Sequence, residues 1–403
     1  MRWMFVYLGC MLALNGTVAW YLRQQIATGY GDFAIFYTAG KILGSGQRLR
    51  LYDSGLQFEV QQRFAPGVTT RQNGPLPYNH PPFEALIFWP MAKLSYVTAF
   101  DVWTGLNLGA LLVAILVLRR RIQWLQSRSA GVWLVVALVF FPVSITLLQG
   151  QDSLWLLLLF ALAYVSIERD EEFAAGCWLG VGLFRPQIVL PVMLLFALRR
   201  RWRLWGGFGL VAAGLAGLSV AIVGWRAALG YPEFVLRVDQ NSAGVSKTWG
   251  MPNLHGLVDS LLAGFGVSEL FVSILTVLLS VAMLWIVARS CSSGLSDRFD
   301  VAFSLMILAA ILVSYHLLEH DLSLLLVPCA LIANWVSRHR MEVRLRAGLI
   351  APMLVLFFTP LYVSLSLQIR QTSLLALVLM AWGAALARAL DRRAPREPAA
   401  RFT

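Results

Sequence analysis

Stretches of about twenty residues with almost no charge recur along this chain, and they limit its fold more than any other feature. Residues 100–118, 204–224, 269–288 and 347–366 are four of them. In lipid every backbone N–H and C=O must find its partner inside the protein, so such a stretch is stable as a membrane-crossing helix. The apolar runs are continuous and do not alternate, which argues against a membrane β-barrel. A soluble surface is also out of reach. Of the 403 residues, 58% are hydrophobic and 13% charged, and the mean hydropathy is +0.68. The chain reads as an all-α polytopic membrane protein.

A net charge of +12 would suggest nucleic acid in a soluble protein. Here the basic residues gather in short loops between apolar spans, where Lys and Arg mark the cytoplasmic side. Arg2 and the arginines within 119–121, 199–203, 338–346 and 388–396 therefore belong inside, and no nucleic-acid partner is expected. Counting crossings between them gives spans at 3–22, 100–118, 130–148, 153–167, 204–224, 269–289, 300–315, 321–335, 347–366 and 372–388. A broken hairpin, 173–184 and 187–198, adds two short pieces that turn at Pro186. The total is about twelve transmembrane helices with both termini inside. A second topology makes 82–94 a true crossing and 173–198 one long helix, but it strands the arginines at 119–121 outside. Residues 3–22 are long enough to span and lack an Ala-x-Ala site, so they read as an uncleaved first helix. Cys10, Cys177, Cys291 and Cys329 lie in apolar stretches without a CxxC pair, so neither a disulfide nor a metal cluster is expected. The organisation is one integral membrane domain, 1–395, with a tail at 396–403. Its outer loops are 23–99, which carries short helices, and 225–268.

This topology sorts the polar residues by side. Asp32, Tyr78, Asn79, His80, Gln149, Gln151, Asp152 and Arg185 all fall on the outer face. So do Lys247, Trp249, Asn253, His255, His316, Glu319, His320 and Asp321. One-sided convergence from distant segments points to a site, because polar groups at membrane depth are costly unless used or paired.

Asp32 opens the helical stretch FAIFYTAG that contains Tyr37, so it is either an N-cap or a general base for an acceptor hydroxyl. In YNHPPFEALIFWP, residues 78–90, Pro81 and Pro82 start a short helix in the outer interface. His80 there is either a loop anchor or a donor to sugar or phosphate. LLQGQDS, residues 147–153, is a tight turn through Gly150, and its glutamines suit hydroxyl binding or plain solvation. Arg185 lies between two apolar half-helices, where a guanidinium needs an anion such as phosphate, or snorkels to the headgroups. In SYHLLEHDLSLLLVP, residues 314–328, His316 and His320 stand four apart and would share a helical face. With Glu319 in the wrong place for a zinc motif and no third ligand in view, no metal is expected, and the pair binds a substrate, orients Asp32 or consists of plain interfacial histidines. The loop at 225–256 mixes Trp225, Tyr231 and Trp249 with Asn241, Lys247, Asn253 and His255, which suits carbohydrate or an interfacial belt.

Three segments, GDFAIFYTAGKILGSGQRLRLYD, YNHPPFEALIFWPMAKLSYVTAFDVWTGLNLGALL and the run from LLQGQDS to ALRRRWR, together resemble glycosyltransferase family 87. The resemblance runs in order from residue 1 to about 335. It implies a glycosyltransferase C-like fold with its site at the extracytoplasmic face of the bacterial inner membrane. The donor it implies is a polyprenyl-phosphate sugar such as the mannose conjugate, usually used with inversion, and no cofactor. The acceptor would be a lipid or glycan. The family's acidic base after the first span corresponds to Asp32. Its basic residue after a Gly-rich half-helix, commonly Lys, is Arg185 here. The Tyr-Pro-Pro element appears as Tyr78-Asn79-His80-Pro81-Pro82, the histidine-rich stretch as 316–321, and the Asn-Gln-Ser-Leu-like element as Asn253-Leu254-His255-Gly256. On this reading Arg185, His316, His320 and Lys247 hold the donor phosphate. Tyr37, Tyr78, Asn79, His80, Gln149, Gln151, Trp249, Asn253, His255, Glu319 and Asp321 line the substrate site. The rival class, a transporter or flippase of lipid-linked saccharide, calls for mid-membrane polar groups and internal repeats, and neither is evident.

Overall fold

The computed structural model describes residues 2–29, 31–67, 76–241, 248–291 and 298–391. Lys247 and the tail at 396–403 lie outside the described residues. Among those described, every regular element is helical. Five helices are long and apolar enough to cross a membrane: Tyr96–Arg119, Trp202–Val235, Glu269–Ser290, Glu319–Arg338 and Thr372–Asp391. Two bent pairs raise the number to seven. The first helix, Arg2–Ala27, has 26 residues. Several spans expected from the sequence are shorter helices: Ser153–Ile167, Glu172–Phe184, Pro186–Leu198 and Phe299–Val313.

The core is built from the short helices. Ser153–Ile167 and Phe299–Val313 bury nearly all their side chains, and Phe160, Tyr164, Phe299 and Phe303 pack ring against ring between them. Of the long helices, Glu319–Arg338 is buried with them, whereas Trp202–Val235 and Glu269–Ser290 lie on the outside. In Glu269–Ser290 only 11% of the apolar window is buried, and Leu270, Ile274, Val277, Leu278, Val281 and Trp285 are exposed. An unpartnered apolar surface of that length fits acyl chains. A second apolar cluster, around Phe33, Phe36, Phe88 and Trp103, seats the Phe33–Gly44 helix on the loop that follows it.

Two expected spans are bent. The stretch at 130–148, read as one straight helix, is Ala130–Val139 and Phe141–Gln149 joined at 81°. Pro142 brings no N–H, Phe140 is extended at ψ 110°, and the loosened carbonyls of Leu138 and Val139 each accept from Asn15 Nδ2 at 3.1 Å. The stretch at 347–366 likewise becomes Val343–Leu356 and Thr359–Ile369, bent by 61° before Pro360. There Thr359 Oγ1 donates to Asn15 Oδ1 at 3.1 Å. One buried asparagine in the first helix thus serves both breaks. The segment 82–94 is a chain of short turns, Pro82–Glu84, Ala85–Phe88 and Pro90–Lys93, and not a span. The loop expected from residue 225 is helical to Asn241, beyond a kink at Gly224.

Glu172–Val181 crosses the long helix that begins at Trp202 at backbone distance. A Cβ on Gly176 would stand 1.9 Å from the Leu204 carbonyl oxygen, and one on Gly207 would stand 2.0 Å from that of Phe173. Only hydrogen fits at those two points.

Candidate active site

The polar residues meet at one end of the helices, around a cleft of about 210 Å³. The opposite end carries a separate network, in which Tyr164 Oη donates to Asp300 Oδ1 at 2.6 Å and Asn334 Nδ2 to Asp300 Oδ2 at 3.5 Å. Arg119, Arg201 and Arg298 lie at that far end, bound to backbone carbonyls or to Glu172.

The turn at 149–152 organises the cleft. Gly150 adopts φ +66°, a conformation that ends the preceding helix and favours glycine, and a Cβ there would also strike Phe33. Trp103 Nε1 donates to the Gly150 carbonyl at 2.9 Å and Asn107 Nδ2 to that of Gln151 at 3.1 Å. With its backbone pinned, the turn aims Gln149, Gln151 and Asp152 at three different partners.

Gln151 Nε2 donates to Asp32 Oδ2 at 2.7 Å. Asp32 occupies the cap position of Phe33–Gly44, but its side chain makes no capping hydrogen bond and turns to the cleft instead. The Oε1 atom of Gln151 accepts from Arg185, so one amide links the acid to the guanidinium. Arg185 sits at the break between Gly182–Phe184 and Pro186–Leu198, 5% exposed, and also donates from Nε to Asp152 Oδ1 at 2.9 Å. Asp321 Oδ1 is 3.9 Å away and accepts from Ser153 Oγ at 3.0 Å. Burial opposes the Arg185 charge, but the Asp152 and Asp321 carboxylates outweigh it and hold its pKa above the usual value.

His316 and His320 both line the cleft but do not share a helical face. Residues 314–318 are non-helical, because Asp321 Oδ2 accepts from the Leu318 N–H at 3.2 Å and starts the helix only at Glu319. His320 Nδ1 contacts Gln149 Oε1 at 2.9 Å. His80 borders the cleft too, and its Nδ1 meets Glu84 Oε2 at 2.9 Å and Asp152 Oδ2 at 4.0 Å. Burial, aided by Arg185, lowers the His80 pKa to about 3, so the ring is neutral. Burial raises Glu84 to about 7 and Asp152 to about 6, the latter against the pull of Arg185. One ligand atom from each of His80, Glu84 and Asp152 lies within 4.8 Å of the others, close enough to hold a metal ion.

Other residues singled out in the sequence stand elsewhere. Tyr37 and Tyr78 are buried and donate to the carbonyls of Leu94 and Pro81. Asn253 caps the Leu254–Leu262 helix and donates to the Ser314 carbonyl at 2.7 Å. His255 Nδ1 approaches the Tyr315 carbonyl at 3.3 Å. Glu319 accepts from Ser366 and Thr372. These side chains, with Trp249, are not among the residues that wall the cleft, whereas Asn79 is. Sequence reasoning missed Glu84, while Tyr231, noted there only as one aromatic of the 225–256 loop, is a wall residue whose hydroxyl donates to the Asn79 carbonyl at 3.1 Å. An acid four residues after His80, alone in an apolar run, was the visible signal for Glu84.

Helices throughout the described residues, several of them of membrane length and apolar, define an integral membrane protein, and its charged cleft lies at one end of them. The family model described as glycosyltransferase family 87 matches residues 78–315, and the chain belongs to that family. It is also similar to the polyprenol-phosphate-mannose-dependent alpha-(1-2)-phosphatidylinositol pentamannoside mannosyltransferase of Mycolicibacterium smegmatis. The two are 28% identical over 197 residues, a match that covers 48% of this chain and 47% of the relative, about half the length of each. No solved structure matches significantly.

Proposed function

We propose that this chain is a membrane glycosyltransferase that moves a hexose, mannose, from a polyprenyl-phosphate donor to a lipid or glycan acceptor. Membership of family 87 and the mannosyltransferase relative support the class and the sugar. The observation that carries the mechanism is the shared cleft, with Asp32 on one wall, Arg185 on another and Gln151 hydrogen-bonded to both. In the proposed reaction Asp32 takes the acceptor hydroxyl proton as the oxygen attacks the anomeric carbon. The bond from that carbon to the phosphate oxygen breaks with inversion, and the phosphate leaves with the electron pair. Arg185, with His316 and His320, stabilises the charge that develops on it. The arginine-rich loops at the far end favour a cytoplasmic setting there, so the cleft would open extracytoplasmically in the inner membrane. The short buried helices, counted with the long ones, would give about twelve passes of a glycosyltransferase C-like fold in one domain over 1–395.

The test is transfer from synthetic polyprenyl-phosphate-mannose by the full-length protein in detergent, with product mass as readout. Transfer that depends on Asp32 supports the reading. Wild-type rates from Asp32→Asn would remove the proposed base.

A further inference from the structure

The carboxylates of Glu84 and Asp152 pose a question that sugar transfer does not answer. Glu84 is 1% exposed and Asp152 is 3% exposed. Asp152 Oδ1 accepts from Arg185, and Glu84 Oε2 lies 2.9 Å from His80 Nδ1. Their other oxygens, Glu84 Oε1 and Asp152 Oδ2, are buried and receive no N–H or hydroxyl donor among the described residues, and the two carboxyls face each other at hydrogen-bond range. An orphaned carboxylate oxygen away from water is costly, and two together need a positive occupant.

The wider charge balance points the same way. Among the described residues, Asp152 and Asp321 lie within 3.9 Å of the Arg185 guanidinium, Asp32 is joined to it through Gln151, and Glu84 stands against His80. Such a pocket repels a phosphate group unless more positive charge is present.

We propose that His80 Nδ1, Glu84 and Asp152 Oδ2 bind a divalent cation of the Mn²⁺ or Zn²⁺ type. The geometry suits one. The three donors already lie within 4.8 Å of each other, so a shift of a few tenths of an ångström brings each to bonding distance of a common centre. A neutral imidazole beside two carboxylates is a donor set for borderline and first-row divalent metals, not for an alkali ion. Asp152 Oδ1 on Arg185 fixes the ligand that Asp152 Oδ2 supplies, and Tyr52 Oη on the His80 carbonyl at 2.8 Å holds the backbone that carries the imidazole. Three protein ligands leave the coordination sphere open, and His80 stands in the cleft wall, so an anionic oxygen of a bound ligand can complete it. The competing occupant is one proton shared between the carboxyls, and burial does raise both.

Metal content separates the two without any assay of transfer, so failure of the transferase reading and failure of this one are distinct results. Tag-free, full-length protein purified without chelator is expected to carry about one Mn²⁺ or Zn²⁺ per chain by mass spectrometry of the metal. Chelation should lower its melting temperature, and Mn²⁺ or Zn²⁺ should restore it. His80→Ala and Glu84→Gln should weaken metal binding at least about tenfold, while His339→Ala, whose ring meets the Trp335 carbonyl away from the cleft, leaves it intact. A metal-free wild type whose melting temperature ignores both ions overturns the proposal, and needs no variant to fold. So does unchanged metal content in folded Glu84→Gln. A shared proton predicts that pattern, since glutamine mimics the protonated acid.

Discussion

Two polar clusters sit at opposite ends of the same short helices, and they are finished differently. At the arginine end, both oxygens of Asp300 are taken, by Tyr164 and Asn334, and Asn334 Oδ1 accepts in turn from the Trp124 N–H at 3.2 Å. Arg298 closes that end on the carbonyls of Ala389 and Leu390. At the cleft end, Asp32 spends one oxygen on Gln151, and two buried carboxylate oxygens, Glu84 Oε1 and Asp152 Oδ2, receive no N–H or hydroxyl donor among the described residues. A saturated network locks helices together. A network left short of donors beside a cavity is set for a ligand.

The contrast can be broken by mutation, and the largest effect should fall on rate. Asp32→Asn is expected to cut transfer by about 10²- to 10⁴-fold, the range for a positioned general base, with little change in melting temperature. A parallel loss of fold would mean that the acid is structural and would erase the distinction between the ends. Arg185→Met should act on stability first. It abandons Asp152 and Asp321 as unpaired buried charges, at about 3–5 kcal/mol, read by thermal unfolding in detergent. Tyr164→Phe at the far end should cost about 1 kcal/mol and leave the transfer rate unchanged, as expected for one hydrogen bond in a structural tie. The smallest effect belongs to His255→Ala, within about 0.5 kcal/mol and without loss of rate. A large loss there would extend the site beyond the cleft.

Much of the fold was legible because apolar length is a local property. The windows around 100–118, 204–224 and 269–288 each became a long helix. Arg185 announced its break because a lone cation between apolar halves cannot continue either one. The bend at Phe140 was hidden, since Pro142 only permits it, and the donor that stabilises it, Asn15, comes from a distant helix. The spacing of His316 and His320 misled for a related reason. Periodicity presumes a helix, and the Asp321 side chain instead captured the backbone N–H of Leu318 and delayed the start. For the cleft, Asp32 and Arg185 stood out as charges at apolar boundaries. Glu84 passed unnoticed, because its meaning depends on Asp152, which only the folded chain brings beside it.

The seam at Gly176 and Gly207 bears on all of this from a distance. Where two main chains touch with nothing between them, neither helix can slide or roll to absorb a change elsewhere. The segment that ends at Arg185 is therefore registered against its neighbour by carbonyl contact. A single methyl added at that crossing would tilt the whole lever and displace the guanidinium from its acids, without altering any residue that faces the cleft.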